Sequence, residues 1–169
     1  MKKNSTAVTV ILMCVIGTCM HFVCDIVHSE NAVMILGILF PVNETTWEHM
    51  KMLWYPFLVT GIILAVKKHD RGYFGSFAAF GLLAMLVQLG LFSFYQSFTG
   101  TSVLILDIIF YMGDMILMAL MALKHYQQFR SDKAWIFWLA ASVLITAGII
   151  YLTYCPGTGY VFLDDSMLA

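Results

Sequence analysis

Polar side chains that could bind a ligand or carry a proton recur along this chain at the spacing i, i+4, i+7. At 100° per residue these steps return to nearly the same direction on a helix, so each group presents one polar face. Carboxylates and imidazoles on such a face can bind a cation or a proton, or act as acids and bases. The three groups are His21, Asp25 and His28; Glu44, Glu48, Lys51 and Tyr55; and Asp107, Tyr111 and Asp114.

The rest of the chain is strongly apolar. Of its 169 residues, 61% are hydrophobic and 11% are charged, whereas an average globular protein has roughly 45–50% and about 25%. Nine Lys and Arg residues against ten Asp and Glu residues give a net charge of −1, which argues against a nucleic-acid-binding surface. The composition predicts an all-α integral membrane protein, with residues 1–169 as a single polytopic domain.

Five stretches are apolar over the roughly 20 residues that a helix needs to cross a bilayer. A shorter apolar piece, near 32–40, would measure only about 14 Å as a helix, so it is predicted to be re-entrant or interfacial. The five predicted transmembrane helices are at about 7–27, 47–66, 73–98, 103–123 and 134–154.

Basic residues predict the orientation of these spans. They lie before the first span, between the second and third, and between the fourth and fifth, all on one face of a five-span protein. Of the nine Lys and Arg residues, only Lys51 lies elsewhere. The positive-inside rule then places the N-terminus in the cytoplasm and the C-terminus outside, and we expect a multi-pass membrane protein.

With that orientation, the three polar faces lie in the outer half of the membrane. Inserting an ionisable side chain costs roughly 2.5–3.5 kcal/mol, so three such faces at one depth predict a shared, outward-facing polar cavity. The helix break before Pro41 and the capping position of Asn43 resemble broken-helix sites for ions. The candidate ligand-binding residues are His21, Asp25, Asn43, Glu44, Glu48, His49, Lys51, Asp107, Tyr111 and Asp114.

The first hypothesis for function is a cavity that binds or moves a small cation, a proton or a polar solute. Glu48 would be its protonatable residue, with Lys51 as an internal countercharge. The odd number of spans and the lack of an internal repeat are unlike carriers built from inverted repeats. A homodimer would compensate for the small size of one chain.

The second hypothesis is an intramembrane metal-dependent hydrolase that acts on a lipid-linked substrate. Zinc binds imidazole nitrogen and carboxylate oxygen, and an open coordination position activates water. Two candidate ligands are His21 and His49, and the third is Asp25 or Asp107. Glu48 would be the acid–base residue. Whether the chain is an enzyme stays open, because no compact metal-binding motif occurs in it.

The third hypothesis is a structural or accessory membrane subunit. Its polar residues would then connect the first, second and fourth spans, and Glu48 with Lys51 would be an ordinary i, i+3 ion pair. The sequence also leaves open whether Cys24 and Cys155 form a disulfide.

The segment from Pro41 to Lys51 resembles the signature of a domain-of-unknown-function family of small bacterial membrane proteins. That signature reads Pro-Val-Asn-Glu-Ser/Thr-x-Trp-Glu-His-x-Lys. Similarity continues at His21-Phe22 with Asp25, at Phe98–Gly100 and at the C-terminal tail, so it covers nearly the whole chain. The resemblance implies a multi-pass protein of the bacterial cytoplasmic membrane with the topology predicted above, and it implies no particular activity. It marks as signature residues Asn43, Glu44, Trp47, Glu48, His49 and Lys51.

Overall fold

The structure, a computed structural model, describes residues 3–27, 36–42 and 45–155, with side chains in the first range described for residues 5–23. Within these ranges the chain forms helices, turns and short connections, and no strand. One 3₁₀ turn, Tyr126–Phe129, follows the fifth helix. The helices are α1 (Lys3–Val27), α2 (Thr46–His49), α3 (Lys51–Lys68), α4 (Gly72–Thr99), α5 (Leu104–His125) and α6 (Asp132–Tyr154).

Five helical segments are long and apolar enough to cross a membrane. The second of them combines α2 and α3, which follow one another through Met50. The five predicted spans are therefore confirmed as helices, with ends that differ by a few residues. The segments are Ser5–Val23, Thr46–Lys68, Gly72–Thr99, Leu104–Phe129 and Asp132–Tyr154.

Local sequence sets where these helices begin and end. The hydroxyls of Thr45 and Ser131 accept hydrogen bonds from the backbone three residues later, which caps α2 and α6. His69 ends α3 with φ of 50°, and Gly100 ends α4 with φ of 72°. Both residues adopt the left-handed conformation that commonly follows the last turn of a helix.

Helix α4 is the central helix of the bundle, because it packs against α3, α5, α6 and the 3₁₀ turn. Two glycines allow α3 and α4 to lie close together. A Cβ at Gly61 would lie 2.8 Å from the Cβ of Phe77, and a Cβ at Gly81 would lie 2.8 Å from the Cβ of Phe57. Each glycine thus accommodates a phenylalanine of the other helix, a form of close packing typical of membrane helices.

A buried ion pair joins the start of α3 to the segment 36–42. Lys51 is 0% exposed and Glu48 is 2% exposed, and their Nζ and Oε2 atoms are 2.5 Å apart. The ammonium group also donates to the carbonyl oxygens of Gly37, at 2.6 Å, and Phe40, at 3.3 Å. Lys51 therefore donates to a carboxylate and to two carbonyls, which compensates for much of the cost of burying its charge.

The carboxylate of Glu48 extends this network to a distant helix. Its Oε2 accepts a hydrogen bond from the backbone N–H of Val42 at 3.0 Å, and its Oε1 accepts one from the hydroxyl of Thr153 in α6 at 3.0 Å. The hydroxyl of Tyr55 donates to the carbonyl of Ile38 at 2.6 Å. One carboxylate thus connects α2, α6 and the segment 36–42.

Part of the predicted re-entrant segment is described. Residues 36–40 form a turn in which the N–H groups of Leu39 and Phe40 donate to the carbonyl of Leu36. Residues 32–35 lie outside the described residues, so the re-entrant path stays a prediction. Cys155 is exposed and its thiol is not in a disulfide, while the side chain of Cys24 is also outside the described part of the chain.

Exposed ion pairs join two connections at the opposite end of the bundle. Arg71 donates to Asp132 at 2.9 Å, and Arg130 donates to Asp70 through Nε at 2.8 Å. The hydrogen bond to Asp70 raises the pKa of Arg130 above its usual value. The two pairs link the α3–α4 connection to Arg130 and to Asp132 at the start of α6. The pair of Arg71 with Asp132 is largely exposed, and such pairs contribute little to stability.

We expect the two residues of the buried ion pair to be energetically coupled. Lys51→Met leaves the carboxylate of Glu48 without its cation, and we expect it to lower the free energy of unfolding by about 3–5 kcal/mol. Glu48→Gln should cost a similar amount. The variant that carries both substitutions should lose less stability than the two single variants lose together, because it buries no unpaired charge. Thermal unfolding in detergent, followed by circular dichroism, measures each change.

The exposed pair provides the control for this cycle. Arg71→Met and Asp132→Asn should each change the melting temperature little, because both side chains are largely solvated. Strictly additive losses in the Glu48 and Lys51 cycle would contradict the coupling.

Candidate functional site

A cavity of about 190 Å³ is lined by residues of all of the helices α1 to α5. Ser102 and Leu104 line it near the connection between α4 and α5, and Gln88 lines it farther into the bundle. Gln88 precedes the end of α4 at Thr99 by a distance of about 16 Å along the helix axis. The cavity therefore extends from one end of the bundle well into its interior.

Helical spacing brings the lining residues of α4 and α5 to this cavity. On α4, Gln88, Phe92 and Gln96 follow one another at intervals of four residues and so share one face. On α5, Asp107 and Tyr111 have the same spacing. Between these polar groups, part of the wall is apolar; its side chains are Met50, Met52, Phe92, Leu104 and Ile108.

Two histidines approach each other at the cavity. The ring centroids of His21 on α1 and His49 on α2 are 5.3 Å apart, with an angle of 44° between the ring planes. The Nδ1 atom of His49 lies 2.9 Å from the carbonyl oxygen of Thr45. A carbonyl oxygen can only accept, so Nδ1 carries the hydrogen and, in the neutral ring, Nε2 carries the lone pair.

Asp107 is oriented by a tyrosine of the neighbouring helix. The hydroxyl of Tyr95 on α4 donates to the Oδ1 atom of Asp107 and accepts a hydrogen bond from the backbone N–H of Val103 at 3.4 Å. Among the described residues that line the cavity, Asp107 is the one carboxylate, and Lys and Arg do not occur. The fixed charge of the described lining residues is therefore negative when the imidazoles are neutral.

Gln88 presents an amide to the cavity from the middle of α4. Its side chain is 1% exposed, and neither its nitrogen nor its oxygen has a hydrogen-bond partner among the described residues. The Nδ1 atom of His21 is likewise buried without such a partner. A buried polar group left unsatisfied costs about 1–3 kcal/mol, so a water, an ion or a polar solute in the cavity would be stabilised there.

Tyr111 has its position because Gly17 has no side chain. The Tyr111 hydroxyl donates to the carbonyl of Met52 at 3.3 Å, which places it between α1, α3 and α5. A Cβ at Gly17 would lie 1.8 Å from the Tyr111 hydroxyl oxygen and 2.8 Å from the carbonyl oxygen of Met52. Gly17 on α1 thus makes room for the polar end of Tyr111.

The ten predicted site residues fall into four groups, three of which the structure describes. His21, His49, Asp107 and Tyr111 line the cavity. Glu48 and Lys51 form the buried ion pair described above, and the acid–base role of Glu48 stays a prediction.

Asp114 is buried in the middle of α5, and the structure does not place it among the lining residues. Asn43, Glu44 and the side chain of Asp25 lie outside the described residues.

Gln88 and Gln96 were not predicted as site residues. Both side chains are uncharged amides, so the spacing of ionisable residues did not mark them. A signal was nevertheless present, because two amides lie eight residues apart in an otherwise apolar span, where polar side chains are costly and usually face the interior of the bundle.

The predicted metal ligands are only partly brought together. His21 and His49 are close to each other, but no group of three or more His, Cys, Asp or Glu side chains suited to a metal occurs among the described residues. The side chain of Asp25, one of the two predicted third ligands, is not described. Zinc binding through these residues therefore stays a prediction.

We expect Gly17→Ala to destabilise the protein, because its new methyl group overlaps the Tyr111 hydroxyl. Overpacking of this kind typically costs about 1–3 kcal/mol. Adding Tyr111→Phe removes the overlap with the hydroxyl but keeps the 2.8 Å approach to the carbonyl of Met52, so it should restore only part of the stability. Melting temperatures in detergent measure these changes.

Gly113→Ala on α5 is the matched control, because a Cβ there would meet no described atom within 4 Å. It should keep the melting temperature or raise it slightly, because alanine is favoured over glycine in a helix interior by about 0.5–1 kcal/mol. Equal melting temperatures for Gly17→Ala and Gly113→Ala would contradict the packing of α1 against Tyr111.

Comparison with known proteins gives one family and no individual relative. No curated protein and no solved structure is significantly similar to this chain. The model of a family of unknown function matches residues 1–167, nearly the whole chain. The protein belongs to this family of unknown function, DUF6512.

Proposed function

We propose that the protein is an integral membrane protein whose cavity binds a small cation or polar solute and releases or transfers it across the membrane. The observation that carries the proposal is the amide of Gln88, which is buried, faces the cavity and has no partner among the described residues. Unsatisfied polar groups in an apolar bundle are costly unless a ligand or water completes them. Five helices long enough to span a bilayer support the membrane setting.

The charges of the lining residues favour a cation or a neutral solute over an anion. Asp107 is the one carboxylate among the described lining residues, and its hydrogen bond from Tyr95 orients it. The imidazoles of His21 and His49 can accept a hydrogen bond from a solute or bind a proton. Because the described lining includes no Lys or Arg, an anion would have to depend on protonated histidines for its countercharge.

We further propose that the mouth of the cavity faces the outside of a bacterial cytoplasmic membrane. Lys67 and Lys68 at the end of α3, Lys124 near the end of α5 and Lys133 in α6 are exposed at the opposite end of the bundle. Such a concentration of basic side chains favours the cytoplasmic side. The apolar side chains of α6, such as Leu144 with 72% exposure, would contact lipid or a second copy of the chain.

We expect Gln88→Met to stabilise the ligand-free protein and to abolish its response to ligand. Methionine has a similar shape and leaves no amide unsatisfied, so the free energy of unfolding should rise by about 1–3 kcal/mol. The probe is the melting temperature in choline chloride, with choline replaced by sodium, potassium or ammonium at constant ionic strength. A cation that binds the cavity should raise the melting temperature of the wild type and not of Gln88→Met.

Gln127→Met is the matched control, because Gln127 is exposed on the 3₁₀ turn and lies outside the cavity. It should keep the wild-type response. If Gln88→Met is less stable than the wild type and no cation shifts either protein, Gln88 has a structural role and the binding proposal fails.

A second candidate function is the metal-dependent hydrolysis of a lipid-linked substrate. The observation in its favour is the hydrogen bond between Nδ1 of His49 and a backbone carbonyl, since metal-binding histidines commonly donate their second ring nitrogen in this way. His21 lies beside it. Zinc bound to these rings through nitrogen would supply a Lewis acid and an activated water.

Elemental analysis of chelator-washed protein tests this second candidate. We expect about one zinc ion per chain in the wild type and a loss of zinc in His21→Ala and in His49→Ala, with α-helical content retained. His125→Ala is the control, because His125 is on the last turn of α5 and outside the cavity. Wild-type protein that retains no transition metal after exposure to zinc contradicts the hydrolase proposal.

A further inference from the structure

Asp114 is a carboxyl group in the interior of the bundle. It occupies the middle of α5, which has 22 residues, and is 5% exposed. Both of its carboxyl oxygens are buried, and neither has a hydrogen-bond partner among the described residues. An isolated carboxylate in an apolar interior carries a large desolvation cost, so a group in this position takes up a proton unless a cation lies beside it.

The helices packed against α5 offer few groups that could act as such a cation. Helices α1 and α4 and the 3₁₀ turn make the most extensive contacts with it, and α3 contacts it where the Tyr111 hydroxyl donates to the carbonyl of Met52. The titratable residues beside that contact on α3 are Lys51, whose ammonium group donates to Glu48 and two carbonyls, and Tyr55, whose hydroxyl donates to Ile38.

On α4, no residue between Tyr73 and Tyr95 is titratable. The 3₁₀ turn contributes the phenol of Tyr126.

On the described part of α1, the titratable side chains are Cys14, Cys19 and His21. The first two are thiols, and the ring of His21 lies against His49 at the cavity.

Along α5 itself, the titratable residues Asp107 and Tyr111 precede Asp114, and Lys124 and His125 follow it at the end of the helix. Lys124 is ten positions away, a distance of about 15 Å along the axis, and its side chain is exposed. No ion pair to Asp114 occurs in the described part of the structure. A proton is therefore the smallest addition that neutralises this carboxyl group.

We propose that Asp114 is a proton-binding site, with a neutral carboxylic acid held in the core of the bundle. It differs from Glu48, whose charge is balanced by Lys51. Tyr111, one turn earlier on the same face of α5, lines the cavity. The proton at Asp114 is therefore stored within one helical turn of the cavity, although the proposal does not require the cavity to bind anything.

Infrared spectroscopy of the protein in lipid bilayers tests this proposal directly. A protonated carboxyl group has a carbonyl stretch that is distinct from those of carboxylates and amides and that shifts in deuterated water. At neutral pH we expect this band in the wild type, in Asp107→Asn and in Glu48→Gln. We expect it to disappear in Asp114→Asn, which replaces the neutral acid by an amide of the same shape.

Stability provides the second measurement. Asp114→Asn should melt within a few degrees of the wild type, because the amide has nearly the same size and shape as the neutral acid. Asp114→Leu removes the unsatisfied polar group but adds volume to the core, so its loss of stability should not exceed the roughly 1–3 kcal/mol typical of overpacking. The proposal is overturned if the wild type has no carboxylic acid band at neutral pH, or if the band remains in Asp114→Asn. It is also overturned if Asp114→Asn and Asp114→Leu both unfold, which would show that the charge of Asp114 is required. A failure of the cation-binding experiment on Gln88 would leave these outcomes unchanged.

Discussion

The need to neutralise polar groups inside an apolar helical bundle is the constraint on which this structure depends. The clearest case is Lys51, a fully buried ammonium group that donates to Glu48 and to the carbonyls of Gly37 and Phe40. Burying a lysine in an apolar interior is costly unless its ammonium group donates hydrogen bonds. The same hydrogen bonds hold the segment 36–42 against the start of α3. The contacts that neutralise the charge of Lys51 therefore also fix the position of this segment.

The buried polar groups of this bundle differ in whether the described structure supplies their partners. Glu48 has a cation, a backbone N–H and the hydroxyl of Thr153 within hydrogen-bond distance, so its charge is balanced within the described structure. Gln88 and Asp114 are buried without such partners. Residues of the first kind hold helices together, whereas residues of the second kind require a ligand, a water or a proton to complete them.

Much of the fold could be predicted because long apolar segments have few ways to satisfy their backbone hydrogen bonds. A run of about 20 apolar residues has to be helical to satisfy its own hydrogen bonds, and the five predicted spans correspond to the five long helical segments. Less could be predicted of the site. A side chain such as Gln88 has no charge to mark it, and Gly17 has no side chain at all. The importance of Gly17 comes from the Tyr111 hydroxyl that fills the space above it.

The sequence by itself determined the number of long apolar helices and the polar faces that repeat along them. It also determined that Glu48 and Lys51, three residues apart in one helical segment, lie on the same face. Only the tertiary structure decided which faces meet. It brought His21 and His49 to within 5.3 Å of each other and directed Glu48 to Lys51 rather than to the cavity. The physical reason is that such contacts depend on how separate helices pack, through side-chain shape and close glycine contacts, and not on spacing along one helix.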